Sequence, residues 1–169
     1  MRRVLPAIMV AFVFMSCKKE SLENPNTVNA ADQKFMLQMA KAANAEIHAG
    51  NLAVGKSSNP VVQQFGQAVA AKYSMALTDL QDLAHKLNFS LPQPDNEENN
   101  FLTNELQGYS FDTSYMKSRV QSFALIMDDF KAEVNNGNNP YVRYYYVNKY
   151  LDASRAYYLQ ADSIAYYMK

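Results

Sequence analysis

The sequence predicts an all-α protein built as a four-helix bundle, and three observations lead to that prediction. Four segments of roughly 25 residues carry apolar residues in alternating steps of three and four, the spacing of one helix face. Most of these segments begin or end at residues that favour helix termini. No stretch alternates between apolar and polar residues for long enough to predict a strand. Two short connections and one longer one join the segments, as in antiparallel bundles.

The first predicted helix runs from about Ala30 to Val54. Asn29 is a candidate N-cap with Asp32 three residues on, and Gly55 is a candidate stop. The expected inward stripe consists of Phe35, Met39, Ala43, Glu46, Gly50 and Ala53.

The second predicted helix begins at Asn59-Pro60, where a capping residue precedes a proline at the first helical position. Its stripe is Val62, Phe65, Val69, Tyr73, Ala76, Leu80, Leu83 and Leu87. The long connection that follows, residues 90–110, contains Pro92 and Pro94. Three apolar residues within it predict a short extra helix over one end of the bundle: Phe101, Leu102 and Leu106.

The third predicted helix starts near Asp112, which is expected to cap it, and ends at Asn135-Asn136-Gly137. Its stripe is Met116, Val120, Phe123, Met127, Phe130 and Val134. Asn139-Pro140 repeats the cap-and-proline pattern and begins the fourth helix. The stripe of that helix is Val147, Leu151, Ser154, Tyr158, Ala161 and Ala165.

The N-terminus has the pattern of a bacterial secretory signal. Arg2 and Arg3 precede an apolar run that ends at Ser16, and Cys17, the only cysteine, follows directly. The run is too short to span a bilayer. The pattern resembles a lipoprotein signal, in which Cys17 is acylated as the first residue of the mature protein; an ordinary signal peptide with an incidental cysteine is the alternative. The predicted organisation is a signal at 1–16, an acylated cysteine and flexible tether at 17–29, and a bundle domain at 30–169.

Charge and composition exclude several functions. Without Arg2 and Arg3, the mature chain has 14 basic and 16 acidic residues, a net charge of −2. This near-neutral balance does not predict nucleic-acid binding. No second apolar run is long enough to cross a membrane, so the acyl chains alone are expected to hold the protein to its membrane. No nucleophile–base constellation and no glycine-rich phosphate loop is present, so the sequence does not predict an enzyme.

Three groups of residues resemble a known bacterial family over about residues 31–160. They are Asn44-Ala45-Glu46-Ile47 with Gly50 and Leu52-Ala53, Phe65 with Leu80 and Leu91-Pro92, and Phe111-Asp112 with Tyr115-Met116. The family has no known function, and its members usually carry the description "outer membrane protein". The resemblance implies a ferritin-like fold and a location in the cell envelope, at the outer membrane, with the periplasmic or surface face left open.

The same resemblance implies a metal site that this sequence does not keep. Members of the family carry an Asp-His pair in the second helix and one histidine in each of the third and fourth. The matching positions here are Lys72, Tyr73, Phe123 and Ser154. Of the implied ligands only the first-helix Glu46 remains, so we expect neither a metal nor another cofactor.

The two histidines present do not replace that ligand set. His48 lies about 200° around the helix from Glu46, so the two side chains cannot share a metal. Asp82 and His85 have the spacing of a ligand pair, but they are predicted to face away from the apolar stripe, toward water.

Glu46 is the residue that the pattern singles out. It shares the inward stripe of the first helix, and a buried carboxylate must be paired, hydrogen-bonded or protonated. We expect a buried polar cluster in which Lys72 or Arg119 neutralises Glu46 and Tyr73 offers a hydroxyl. The alternative is that Glu46 turns to solvent at the helix edge.

Nine of the twelve tyrosines lie between Tyr141 and Tyr167. One stripe is expected to be core: Tyr144, Tyr150, Tyr157 and Tyr158. The exposed candidates for an interface are Tyr145, Tyr146, Tyr166 and Tyr167. They predict either a surface for a protein partner, a glycan or a second copy of the chain, or rings that merely line the bundle edges.

The sequence therefore predicts a lipid-anchored helical-bundle protein of the cell envelope, of binding or structural type and without a catalytic metal. The alternative is a ferritin-like metal-binding redox or metal-storage protein that uses Glu46 and unidentified ligands. The absence of an inward histidine favours the first prediction.

Overall fold

The computed structural model describes residues 27–91 and 107–168. The predicted signal, Cys17, most of the tether and the predicted short helix at Phe101, Leu102 and Leu106 lie outside the described residues. Within those two ranges all regular structure is helical. Its elements are α1 (Ala30–Lys56), α2 (Pro60–Lys86), α3 (Gly108–Asn136), a π-helix (Tyr141–Val147) and α4 (Asn148–Tyr167). The prediction of an all-α four-helix bundle is confirmed.

Local capping chemistry sets the starts of α1 and α2 as predicted. The Asn29 side chain accepts a hydrogen bond from the Asp32 N–H at 2.8 Å, and the Asp32 carboxylate accepts one from the Asn29 N–H at 2.7 Å. These reciprocal bonds form a capping box. The Asn59 side chain accepts from the Val61 N–H at 2.9 Å. Gly55 does not stop α1, because the helix continues through it to Lys56.

Two helical hairpins, α1–α2 and α3–α4, pack into the bundle. At one end Asn29 donates to the Asn136 carbonyl at 2.9 Å, so α1 begins where α3 finishes. At the opposite end the Tyr109 hydroxyl donates to the Met168 carbonyl at 2.5 Å, so α3 begins where α4 finishes. We call these the tether end and the far end. α2 finishes at the tether end and α3 begins at the far end, so these two consecutive helices end and begin at opposite ends of the bundle, as in ferritin-like bundles.

The predicted stripes of α1 and α2 form one side of the core, since every residue of both is buried. Near the middle of the bundle, Phe65, Phe123 and Tyr157 pack together with ring centroids 5.9–6.3 Å apart. α1 and α2 approach closely where Gly50 faces Gly66. A Cβ added at Gly50 would lie 2.4 Å from the Gly66 carbonyl oxygen, so the contact requires glycine.

The third helix begins earlier than predicted but ends at Asn136, before Gly137, as predicted. It begins at Gly108, whose φ of +57° is in the left-handed region that favours glycine. Asp112 is therefore not the cap; it is buried inside the helix. Near the other end Val134 is exposed and Glu133 is buried in its place.

The start of the fourth helix shows the largest difference, because residues 141–147 form a π-helix. Val142 and Val147, five residues apart, are both fully buried, a spacing that an α-helix would place on different faces. This register corrects two predictions about tyrosines. Tyr146, an expected interface residue, is buried and donates to the Ala76 carbonyl at 3.1 Å. Tyr144, an expected core residue, is exposed.

Candidate functional site

A buried ion pair between α1 and α3 is the central polar feature of the bundle. Arg119 Nη1 donates to Glu46 Oε1 at 2.6 Å, and the exposed fractions of the two side chains are 3% and 0%. Ser122, one turn beyond Arg119 on α3, donates its hydroxyl to the same carboxylate oxygen at 2.5 Å. Two donors thus converge on one oxygen of a carboxylate that is fully removed from water.

Further contacts along α3 fix the position of the guanidinium. Arg119 Nε donates to Ser118 Oγ at 3.3 Å, and the Ser118 hydroxyl donates to the Tyr115 carbonyl at 2.7 Å. The guanidinium carbon lies 5.6 Å from the centroid of the Tyr115 ring. The ring face adds a cation–π attraction, so the cation is held from two sides.

Two buried polar atoms beside the pair find no hydrogen-bond partner among the described residues. They are the second carboxylate oxygen of Glu46, Oε2, and the hydroxyl of Tyr115. Burial raises the pKa of the Tyr115 hydroxyl above its ordinary value, and the Glu46 carboxylate raises it further while Arg119 opposes this. Tyr115 is therefore a neutral phenol at physiological pH.

The predicted polar cluster is brought together only in part. Glu46 and Arg119 are in direct contact, whereas the Tyr73 hydroxyl is 2.9 Å from Ser154 Oγ and bonds to it. Burial raises the pKa of Tyr73, with smaller influences from Glu46 and Arg119. Lys72 is not the partner of Glu46; its Nζ lies over the Tyr150 ring, 5.1 Å from the centroid.

These residues do not fit the metal site that the family resemblance implies. The positions predicted to match its ligands hold Lys72, Tyr73, Phe123 and Ser154, and the two hydroxyls among them bond to each other. Arg119 places a positive charge directly on Glu46, where a metal cation would be repelled. In ranges 27–91 and 107–168 no three His, Cys, Asp or Glu side chains converge as a metal-ligand group. His48, Asp82 and His85 are exposed.

Of the predicted interface tyrosines, three are exposed: Tyr145, Tyr166 and Tyr167. They do not form one surface. Tyr145 lies at the tether end, whereas Tyr166 and Tyr167 lie at the far end, roughly 30 Å away along the helix.

A second buried acidic site lies at the tether end. The sequence predicted Asp32 only as part of the cap of α1 and did not predict this site. Asp32 Oδ2 accepts from the Asn29 N–H at 2.7 Å, and Oδ1 accepts from the Asn138 and Asn139 N–H groups, each at 3.1 Å. The carboxylate of Asp32 thus caps α1 and also holds the turn before the π-helix. Asp32 acts only as an acceptor in these three hydrogen bonds.

Glu133 is the acidic neighbour of Asp32. No donor from the described residues reaches either of its oxygens. Burial and the adjacent Asp32 carboxyl together raise the pKa of Glu133 to about 8, although Arg143 opposes this. Glu133 is therefore mostly protonated at neutral pH and can donate to Asp32. The sequence carried a signal for this, because Glu133 lies three residues after the inward Phe130 and so shares its face.

Two further observations concern the surface. A groove of about 510 Å³ lies between α3 and α4, with Met127, Leu151 and Tyr158 in its lining and charged residues at its edges. In the part of the chain that the structure describes, no helix is long and apolar enough to cross a membrane.

Comparison with known proteins gives one family match. The model of a domain of unknown function, DUF4142, matches residues 17–162, which include Cys17, the Glu46–Arg119 pair and the π-helix. No curated protein and no solved structure matches the chain.

Proposed function

The chain belongs to the DUF4142 family, and from that premise we propose that it is a lipid-anchored helical-bundle protein of the cell envelope, of binding or structural type. In this proposal the buried Glu46–Arg119 ion pair takes the place of a metal centre. The single observation that carries the structural role is the 2.6 Å contact between the guanidinium and the carboxylate in the bundle interior.

The chemistry of the pair supports a structural role. A metal site in a helix bundle needs several inward carboxylates and histidines from facing helices. Here one inward carboxylate meets a cation that cannot be deprotonated, since the arginine pKa exceeds 12 in proteins. The pair joins α1 to α3 and neutralises both charges, so it holds two helices in register without an added ion.

A metal-binding redox or storage function is the second candidate, because the buried Glu46 Oε2 has no partner among the described residues. The two candidates differ in their response to Fe²⁺, Mn²⁺ and Zn²⁺. A ligand present at a hundred times its dissociation constant raises the melting temperature of a chain of this size by roughly 5–10 °C. We expect no rise with any of the three ions and no fall with chelator. A rise that disappears in Glu46→Gln would support the metal function instead.

The location is proposed from the N-terminal pattern. The family match begins at Cys17, the residue at which the signal pattern predicts that the mature chain starts. Acylation at this position with two or more chains gives stable membrane attachment. We expect the wild-type protein to enter the detergent phase on partitioning and to fractionate with outer membranes. The Cys17→Ser variant is expected to be absent from the detergent phase and from the outer-membrane fraction. A Cys17→Ser protein that stayed with the membrane would contradict acylation at Cys17.

A further inference from the structure

An aromatic surface lies at the tether end of the bundle. Tyr141, Tyr144 and Tyr145 are all exposed, on the side of the π-helix opposite the buried Val142 and Val147. The π-helix turns three rings outward within five residues. π-Helical turns are rare and occur frequently at functional sites. Core packing does not account for the exposed rings, because the buried side of the same segment supplies the core contacts.

Cationic side chains accompany these rings. The guanidinium carbon of Arg143 lies 5.6 Å from the Tyr144 ring centroid, and Lys149 Nζ lies 5.6 Å from that of Tyr145. Lys149 also pairs with Asp79 at 2.5 Å, whereas the Arg143 guanidinium donates to the neutral Val134 carbonyl at 2.9 Å and so keeps its net positive charge. Tyrosine rings beside arginine and lysine are the composition found at the membrane–water interface. There the ring occupies the headgroup level and the cation meets anionic lipid.

The N-terminal segment enters the bundle next to this surface. Asn139, which lies two residues before Tyr141, donates from Nδ2 to the Thr27 carbonyl at 2.8 Å. Cys17 lies ten positions before Thr27, so the acylated cysteine can be at most about 35 Å from this point. The far end of the bundle lies roughly 30 Å further along the helices. The anchor thus keeps the tether end within about 35 Å of the lipid, whereas the far end can lie roughly 30 Å further away.

We propose that the tether-end surface, formed by Tyr141, Tyr144, Tyr145 and Arg143, docks on the phospholipid headgroups of the membrane that holds Cys17. The bundle then stands on the bilayer by its tether end, with the far end directed away from it. This inference rests on the acylation of Cys17 proposed above. The docking partner is a lipid surface, because the surface lies beside the point where the anchored segment enters.

The test uses the full-length chain, produced in an acylating host and reconstituted into vesicles of phosphatidylethanolamine and phosphatidylglycerol. Cys17 is the only cysteine, and acylation converts its thiol to a thioether, so an introduced cysteine takes a single fluorophore. Tyr144→Cys and Tyr166→Cys form a matched pair, because the tyrosines are 65% and 63% exposed and lie at opposite ends. A nitroxide on the lipid headgroup reports how close each fluorophore is to the bilayer.

We expect the fluorophore at position 144 to be quenched roughly threefold or more relative to that at 166, because about 30 Å of helix separates them. Equal quenching at positions 144 and 166 would overturn the docking but would not contradict the acylation of Cys17. If the fluorophore at position 144 is shielded from solvent, and the shielding depends on protein concentration and persists in detergent, the docking on lipid is also overturned. That result would identify a second copy of the chain as the occupant of the surface. If the wild-type chain itself takes up the fluorophore, Cys17 is not acylated, and the docking falls together with the anchor.

A second set of variants separates the tyrosines from the anchor. Tyr141→Ser with Tyr145→Ser, in the Tyr144→Cys background, is expected to reduce quenching at position 144 at least about twofold, because the interfacial rings are removed. The control is Leu159→Ser with Tyr167→Ser, which also removes two exposed apolar side chains, but from α4, further from the tether end. Equal quenching in the two sets would show that the anchor alone holds position 144 near the bilayer, and would overturn the role of the tyrosines.

Discussion

Arg119 of α3 holds Glu46 of α1 through a 2.6 Å contact between two side chains that are almost completely removed from water. The two residues are 73 positions apart in sequence, so the contact joins distant parts of the chain. Its energetic meaning follows from burial, because either charge left alone in the bundle would be strongly destabilising.

The first prediction concerns the loss of one partner. Arg119→Met is expected to lower the free energy of unfolding by about 3–5 kcal/mol, because Glu46 would remain buried and unpaired. Adding Glu46→Leu in the same chain is expected to restore most of that loss, since an apolar pair of similar volume replaces the ion pair. Urea unfolding of the two single variants and the double variant measures this.

The control for these three variants is an exposed ion pair on α3, the helix that carries Arg119. Lys131 and Asp128 lie 3.5 Å apart with side chains 78% and 72% exposed. Lys131→Met is expected to cost less than about 1 kcal/mol. If Arg119→Met were as mild as Lys131→Met, the buried pair would not be a structural element of the fold.

The second prediction concerns the close contact between α1 and α2. A Cβ at Gly50 would lie 2.4 Å from the Gly66 carbonyl oxygen, a backbone atom of α2 that cannot turn aside as a flexible side chain could. Gly50→Ala is expected to destabilise the protein by about 1–3 kcal/mol or more. Gly55→Ala, in the same helix with nothing within 4 Å, is expected to stabilise it by about 0.5–1 kcal/mol. Thermal unfolding of both variants gives the comparison, and two changes of the same sign would contradict the packing described here.

How far the fold could be predicted from sequence depends on how local its causes are. The start of α2 was predictable to the residue, because Asn59 and Pro60 act on the backbone next to them. The π-helix was not, since its register is set by what Val142, Tyr146 and Val147 meet in the core. Burial of Glu46 followed from the stripe alone. The choice of Arg119 over Lys72 as its partner depended on how α1 and α3 pack, which no periodicity specifies.

The third prediction concerns the pH dependence of stability that Glu133 introduces. Its pKa is about 8 in the folded chain against an ordinary value of 4.5. Protonation of Glu133 therefore stabilises the fold fully below about pH 4.5, and this contribution is lost as the pH rises toward 8. Glu133→Gln keeps a neutral donor and removes the titration, so it is expected to be more stable than wild type by about 2 kcal/mol or more at pH 8.

Urea unfolding of wild type and Glu133→Gln at several pH values measures that difference, which should vanish near pH 4.5. Asp128→Asn, at an exposed position on the same helix, is the control and is expected to show little difference across the range. Parallel pH profiles for wild type and Glu133→Gln would contradict the raised pKa.

The fourth prediction tests the register of the π-helix. Tyr146→Ala is expected to cost about 3–5 kcal/mol, because it empties a buried site and removes the hydrogen bond to Ala76. Tyr144→Ala, two residues earlier, is expected to change stability by less than about 0.5 kcal/mol, because that ring is exposed. Thermal unfolding distinguishes them. A regular α-helix with Tyr144 in the core would reverse the order of the two effects.

The metal content of the purified protein tests the central claim most directly. The full-length chain is extracted in detergent without chelator or metal-affinity resin, and its iron, manganese and zinc are measured by elemental analysis. If Arg119 occupies the place of a metal beside Glu46, each metal should be far below one equivalent per chain. Near-stoichiometric metal that is lost in Glu46→Ala would contradict the account.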